Sequence, residues 1–217
     1  MKFIKHFMCS DRITSRMERE LPRIKRLFPD ANVIFDVGSN VGVHTCLFSE
    51  FYPNSKIYTF EPVPQTYMAL VQNVNLNNLK NVTCFNFGFL EKELKQDLCC
   101  PLNRDSENSG LYSTKIPDGK NKVSSHFYNF GDWCVRNNII PDLLKIDVEG
   151  AEFEILNSSD CIIHKIKYLI IEDNPTFASL HRKTLKSLIK LNFDIVGRNQ
   201  LDLLCKNKVK ENNELKR

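Results

Sequence analysis

Acidic residues recur at the ends of apolar runs along this 217-residue chain. Asp36 follows Val33-Ile34-Phe35, Glu61 follows Ile57-Tyr58-Thr59-Phe60, Asp147 and Glu149 close Leu143-Leu144-Lys145-Ile146, and Glu172-Asp173-Asn174 follows Leu169-Ile170-Ile171. Carboxylates gathered in one cleft can take a proton from a hydroxyl, bind a cationic ligand or hold a hard metal ion. Just after Asp36 comes Gly38-Ser39-Asn40-Val41-Gly42, in which two glycines let the backbone turn tightly and approach a ligand without a Cβ in the way.

Alternating elements must position these groups. Residues 33–37, 56–60, 82–87, 143–148 and 166–172 read as strands, the first of them apolar enough for a strand covered on both faces. Helices are expected over 42–52, with Val43, Cys46, Leu47 and Phe51 inward, and from Pro64 to the asparagines at 75, 77 and 78. Others are expected over 132–137, 150–156 and 176–191, the last with Phe177, Leu180, Leu185, Leu188 and Ile189 inward. Residues 193–196 and 201–205 read as a closing antiparallel pair around a turn at Gly197 to Gln200. This alternation implies an α/β domain with a mostly parallel sheet covered on both faces. In such sheets ligands bind beyond the carboxyl ends of the strands, where the acids stand.

Three stretches lie outside the alternation. Residues 1–30 form a basic N-terminal arm, with a helix expected over 15–28 that Pro22 interrupts. Residues 90–127 read as a polar, irregular lid or substrate loop inside a domain set at 31–205, and 206–217 as a charged tail.

The glycine loop lacks the G-x-G-x-x-G spacing of a dinucleotide site. Asp36 would also set a carboxylate near a pyrophosphate, which is unfavourable. A cationic cofactor reverses that argument. S-adenosylmethionine carries a sulfonium and an ammonium, and Glu61 at the next strand end can accept both ribose hydroxyls. Asp36, Gly38, Ser39, Asn40, Gly42, Glu61 and Pro62 are therefore the expected cofactor contacts. Methyl transfer to an alcohol needs alignment and a base, for which Asp147 and Glu149 come first and Glu172 next. Lys145, two residues before Asp147, shares its strand face and would hold it ionised. Asp147 could alternatively cap the following helix. Glu152 and Glu154 are expected in solvent or in helical pairs. His44 is expected to touch the cofactor loop, and His126 to line a substrate cleft. Asp147, Asp173 and Asn174 offer oxygen ligands suited to Mg²⁺.

Phe35-Asp36-Val37-Gly38-Ser39-Asn40-Val41-Gly42, Phe60-Glu61-Pro62, Leu76-Asn77, Lys145-Ile146-Asp147-Val148-Glu149-Gly150-Ala151-Glu152 and Ile170-Ile171-Glu172 together resemble the successive signatures of the FkbM family of S-adenosylmethionine-dependent methyltransferases. The resemblance implies a Rossmann-like class I methyltransferase fold, with a mostly parallel seven-stranded sheet and an antiparallel last strand. It also implies O-methylation of a hydroxyl on a sugar, glycan or secondary metabolite. An RNA ribose methyltransferase and a non-catalytic cofactor-binding module are the alternatives. No proline-aromatic stacking segment follows Asp147, which disfavours base methylation.

Composition narrows the classes further. A net charge of +4 is modest for a nucleic-acid binder. No apolar run approaches the ~20 residues of a membrane span. The eight cysteines include no C-x-x-C pair, so reduced cysteines in a cytoplasmic protein are expected rather than a zinc site.

Overall fold

The structure is a computed structural model and describes residues 20–100, 112–114, 120–172, 178–199 and 202–208. A first helix, α1, covers 20–27 of these. There follow β1 (Val33–Val37), α2 (Val43–Phe51), β2 (Lys56–Phe60), α3 (Pro64–Leu76) and β3 (Val82–Phe85). Then come β4 (Gly88–Leu90), β5 (Leu94–Cys100), β6 (Lys120–Asn129), α4 (Phe130–Asn137), β7 (Leu143–Ile146), α5 (Glu152–Asn157) and β8 (Tyr168–Glu172). The chain closes with α6 (Ala178–Lys190), β9 (Phe193–Asn199) and β10 (Asp202–Asn207).

Seven strands form one sheet in the order β3-β2-β1-β7-β8-β10-β9. Neighbours from β3 to β8 run parallel, whereas β10 runs antiparallel to both β8 and β9. The last strand in sequence is thus the antiparallel one, inserted between two others. Strand alternation sends side chains to two cores. Phe35, Leu144, Ile146 and Leu169 face α4, α5 and α6. Ile34, Ile57, Leu143 and Ile170 face α1, α2 and α3. Leu21, Ile24 and Phe28 bury the inner side of α1 in that second core. Pro22 does not break the described part of this helix.

Residues 90–127 are not simply irregular. β5 and β6 pair antiparallel, and with β4 they make a second, three-stranded sheet, β4-β6-β5. Period-two alternation is present in β6, where Ser125 and Phe127 are buried and Ser124 and His126 exposed. Serine at an inward position hides this in sequence, because it does not register as apolar. The expected 82–87 strand ends at Phe85, and the chain re-enters strand at Gly88 in the other sheet. A Cβ on Gly88 would stand 2.6 Å from the ring of Phe127, its register partner on β6, so glycine leaves room for that ring within the second sheet.

Other boundaries also shift. Gly197 lies within β9 rather than in a turn, and a Cβ there would stand 2.8 Å from the Arg23 guanidinium. Its smallness serves the approach of α1. On α6, Leu188 is buried but Ile189 is 75% exposed, because one residue is about 100° of helical rotation. Phe177 falls outside the described residues.

Trp133 from α4 is the hub of the first core. Five phenylalanine rings, at 35, 60, 85, 87 and 89, lie with centroids 5.3–5.9 Å from it. Trp133→Ala should cost about 3–5 kcal/mol of stability, read by urea unfolding. A loss below about 1 kcal/mol would show that these rings do not rely on it.

Candidate active site

The glycine loop is built from left-handed backbone. Gly38, Asn40 and Gly42 have φ of 78°, 51° and 88°. Gly38 and Ser39 donate their N–H groups to the Phe60 carbonyl, at 3.0 and 3.1 Å, and Ser39 Oγ joins them. A Cβ on Gly38 would stand 1.8 Å from the Asp147 carbonyl oxygen. The glycine therefore admits the β7–α5 loop against its own loop, besides lining the cleft. A Cβ on Gly42 would meet Leu70 of α3 at 2.5 Å.

Glu61 ties this loop to the next. Its Oε2 accepts from Asn40 N and its Oε1 from Val63 N, both at 2.9 Å. Each oxygen keeps a second lone pair for a ligand. Burial pushes the Glu61 carboxyl up to about 7, against the lowering by its two backbone hydrogen bonds.

Asp36 occupies a different place from Glu61. It is fully buried and is not among the cleft-lining residues. Thr59, Asp36 and Lys145 are register partners across β2, β1 and β7. Thr45 of α2 donates to Asp36 Oδ2 at 2.6 Å and bonds Thr59 at 2.8 Å. Lys145, 1% exposed, sets its Nζ 3.4 Å from Asp36 Oδ1 and 3.0 Å from Asp147 Oδ2. Asp36 thus reaches Asp147 through one ammonium.

Asp147, Glu149 and Glu172 form a cluster, with one carboxylate oxygen of each within 4.8 Å of the others. Burial alone would raise the Asp147 carboxyl. The Lys145 ammonium, with His44 and a hydrogen bond from Glu172, outweighs burial and holds it below the usual range. Burial and then the Asp147 charge push Glu172 up to about 9. Of this pair, Glu172 holds the proton and Asp147 the charge. Asp147 does not cap α5. Ala151 is the cap residue, and the turn is satisfied by Glu152, whose Oε1 accepts from Val148 N and Gly150 N at 3.2 and 3.1 Å. Glu152 is buried rather than in solvent. Asp173 and Asn174 lie outside the described residues.

These groups line a cleft of about 810 Å³, its open mouth included. Gly38, Asn40, Glu61 and Pro62 lie on its wall together with Asp147 and Glu149, whereas Ser39, Gly42 and Glu172 are not part of that lining. The second sheet supplies Leu98 and Phe127, and the segment beside it Tyr112 and Thr114. Among the described residues no group bonds the buried Thr114 Oγ1. His126 is exposed on the opposite side of β6 from Phe127 and does not line the cleft. His44 stacks loosely on Phe48 at 6.2 Å, one turn along α2. Sequence reasoning placed a substrate wall in 90–127 but did not find that it is a sheet, nor the bonds made by Thr45 and Ser113. Thr45 follows Asp36 at no motif spacing, and Ser113 had no signal beyond its polar neighbours.

The Methyltransferase FkbM domain matches residues 36–195. The chain belongs to this family. It is 29% identical over 151 residues to Methyltransferase 1 of Beauveria bassiana, covering 61% of this chain and 60% of that one. The chain therefore spans about three-fifths of that relative's length. It is 26% identical over 189 residues to the hexuronic acid methyltransferase AglP of Haloferax volcanii, covering 79% of this chain and 72% of the relative. Among solved structures, the S-adenosylhomocysteine-bound Podospora anserina methyltransferase PaMTH1 superposes with a TM-score of 0.54 at 11% identity, over 93% of this chain and 80% of that one. This likeness confirms the class I methyltransferase fold.

The raised Glu172 value has a stability consequence. Between about 4.5 and about 9 the folded chain keeps a proton that the unfolded chain releases. Stability is therefore lost progressively as pH rises through that window, and the loss is complete above it. Glu172→Gln, in chelator-containing buffer, should gain on the wild type progressively from pH 5 to pH 9, by at most about 1.4 kcal/mol per pH unit, read by urea unfolding. A pH-independent difference would show that Glu172 does not hold the proton.

Proposed function

We propose that this chain is an S-adenosylmethionine-dependent O-methyltransferase acting on a hydroxyl of a sugar, glycan or small metabolite. The observation that carries the reading is the electrostatic division of the cleft. The glycine loop and Glu61 share its wall with an ionised Asp147 and with Glu149, and a protonated Glu172 stands in the cluster with that pair. Family membership and the fold support the methyl donor, and similarity to AglP, a hexuronic acid methyltransferase, supports a sugar acceptor.

In this reading Gly38, Asn40 and Pro62 wall the cofactor, and the free lone pairs of Glu61 accept the ribose hydroxyls. Asp36, Ser39 and Gly42 act on the cofactor indirectly, by shaping the loop and fixing Lys145. The acceptor hydroxyl enters between the second sheet and Asp147. S-adenosylmethionine bound there would supply an activated methyl group in line with the acceptor oxygen and would leave as the thioether, and Asp147 is placed to take the hydroxyl proton. Glu172, through its hydrogen bond, holds that carboxylate in place, with Glu149 beside it. Residues 90–127 select the acceptor through Leu98, Phe127, Tyr112 and Thr114. No Lys, Arg or His stands among the described lining residues, which favours an uncharged hydroxyl over an RNA backbone.

The three-carboxylate cluster favours a second reading, in which Asp147, Glu149 and Glu172 hold a Mg²⁺ ion. Oxygen donors suit it, and such an ion would acidify the acceptor hydroxyl. Turnover unchanged in excess chelator removes this reading; turnover lost with chelator and restored by Mg²⁺ establishes it.

Two substitutions test the division of roles. Glu61→Ala should weaken S-adenosylmethionine binding about 10-fold or more, since it removes charge-assisted acceptors. Asp147→Ala should change that affinity comparatively little and lower turnover at least about 100-fold. Calorimetry gives the first quantity, and a panel of neutral sugars, uronic acids and RNA with labelled methyl donor gives the second. Equal loss of cofactor affinity in both variants would remove the assigned role of Asp147. Absence of cofactor binding by the unaltered chain would remove the methyltransferase reading.

A further inference from the structure

We propose that Ser113 is a positioning residue, which holds the Glu149 carboxylate beside Asp147 and Glu172 by gripping the Glu149 backbone from the second sheet. The inference rests on the reading of that carboxylate cluster as the reacting end of the cleft.

Glu149 is in a left-handed conformation, with φ of 55°, and Gly150 follows at 108°. A residue with a side chain stays there only where its surroundings over-determine it. Like charge adds to the demand, because the Glu149 carboxylate oxygen lies within 4.8 Å of those of Asp147 and Glu172. A free backbone would let it withdraw.

Two clamps hold it. From the α5 side, Glu152 accepts from the N–H of Val148 and from that of Gly150, the latter in the peptide that carries the Glu149 carbonyl. From the other side, Ser113 Oγ donates to the Glu149 carbonyl at 2.7 Å. Ser113 is itself fixed. It is 2% exposed, and it exchanges both backbone hydrogen bonds with Cys99 of β5, at 3.1 and 3.0 Å. Its neighbours Tyr112 and Thr114 both line the cleft. An acceptor seated against them therefore lies one hydrogen bond from the backbone of Glu149. The second sheet thus both walls the cleft and sets one of its carboxylates.

Ser113→Thr and Ser113→Val, made in the full chain, match each other in shape and differ in the hydroxyl. Crystal structures of both with S-adenosylhomocysteine read the positioning without any acceptor. The valine variant should move the Glu149 backbone out of the left-handed region and its carboxylate more than about 1 Å from the cluster, while the threonine variant keeps both. Turnover on the labelled-donor panel should fall about 10-fold or more for valine and stay within about threefold for threonine. S-adenosylmethionine affinity should stay within about twofold in each. A left-handed Glu149 in the valine variant overturns the inference. So does an equal loss in both variants, which would assign the effect to packing. If the unaltered chain binds no S-adenosylmethionine, the methyltransferase reading itself falls, a result distinct from either.

Discussion

A single buried ammonium organises the carboxyl end of the sheet. Lys145 sits between Asp36 and Asp147, with 1% and 0% of the Lys145 and Asp36 side chains exposed. A charge placed there is tolerable only with opposite charges and hydrogen bonds around it. The requirement propagates outward. Asp36 must accept from Thr45, Thr45 must meet Thr59, and so α2, β2, β1 and β7 are held in one polar row beneath the glycine loop. Because Asp36 is committed to that row, its influence on the cleft passes through Lys145 to Asp147.

The consequence is a graded set of carboxyl groups. Asp147 is held ionised by its ammonium neighbour, Glu61 is raised by burial to about 7, and Glu172 is raised by burial and by Asp147 to about 9. Asp147 and Glu172, close enough to share a hydrogen bond, are not both charged. Their environments separate them, and that separation leaves one group able to accept a proton and another able to keep it. The loops that carry them are also fastened to one another through backbone. Gly38 abuts the Asp147 carbonyl, Glu61 bonds Asn40, and Ser125 of the second sheet donates to the Pro62 carbonyl at 2.7 Å.

Much of the sheet was legible because its signals are local. The buried runs of β1, β7 and β8, Pro64 at the start of α3 and the asparagines at its end are read within a few residues. Departures came where a partner decides. β3 stops early and β4 changes sheet because Phe127, some forty residues on, packs against Gly88. Gly197, read as a turn residue, lies within β9, where Arg23 of α1 donates to the carbonyl of the next residue, Arg198. Ile189, read as inward, faces out because the edge of the core lies one residue round the helix.

What the sequence by itself determined is the alternation of elements, the acids at the strand ends and the family to which they point, since each depends on residue type and short spacing. Only the tertiary structure decided how those acids divide. Whether a carboxylate faces the cleft or a buried lysine, is charged or protonated, depends on groups brought from other strands. Ser113 reaching Glu149 across 36 positions, and Asp36 meeting Lys145 across 109, are set by packing. Electrostatic and hydrogen-bonding energies fall off over a few ångströms, and such distances exist only once the chain has folded.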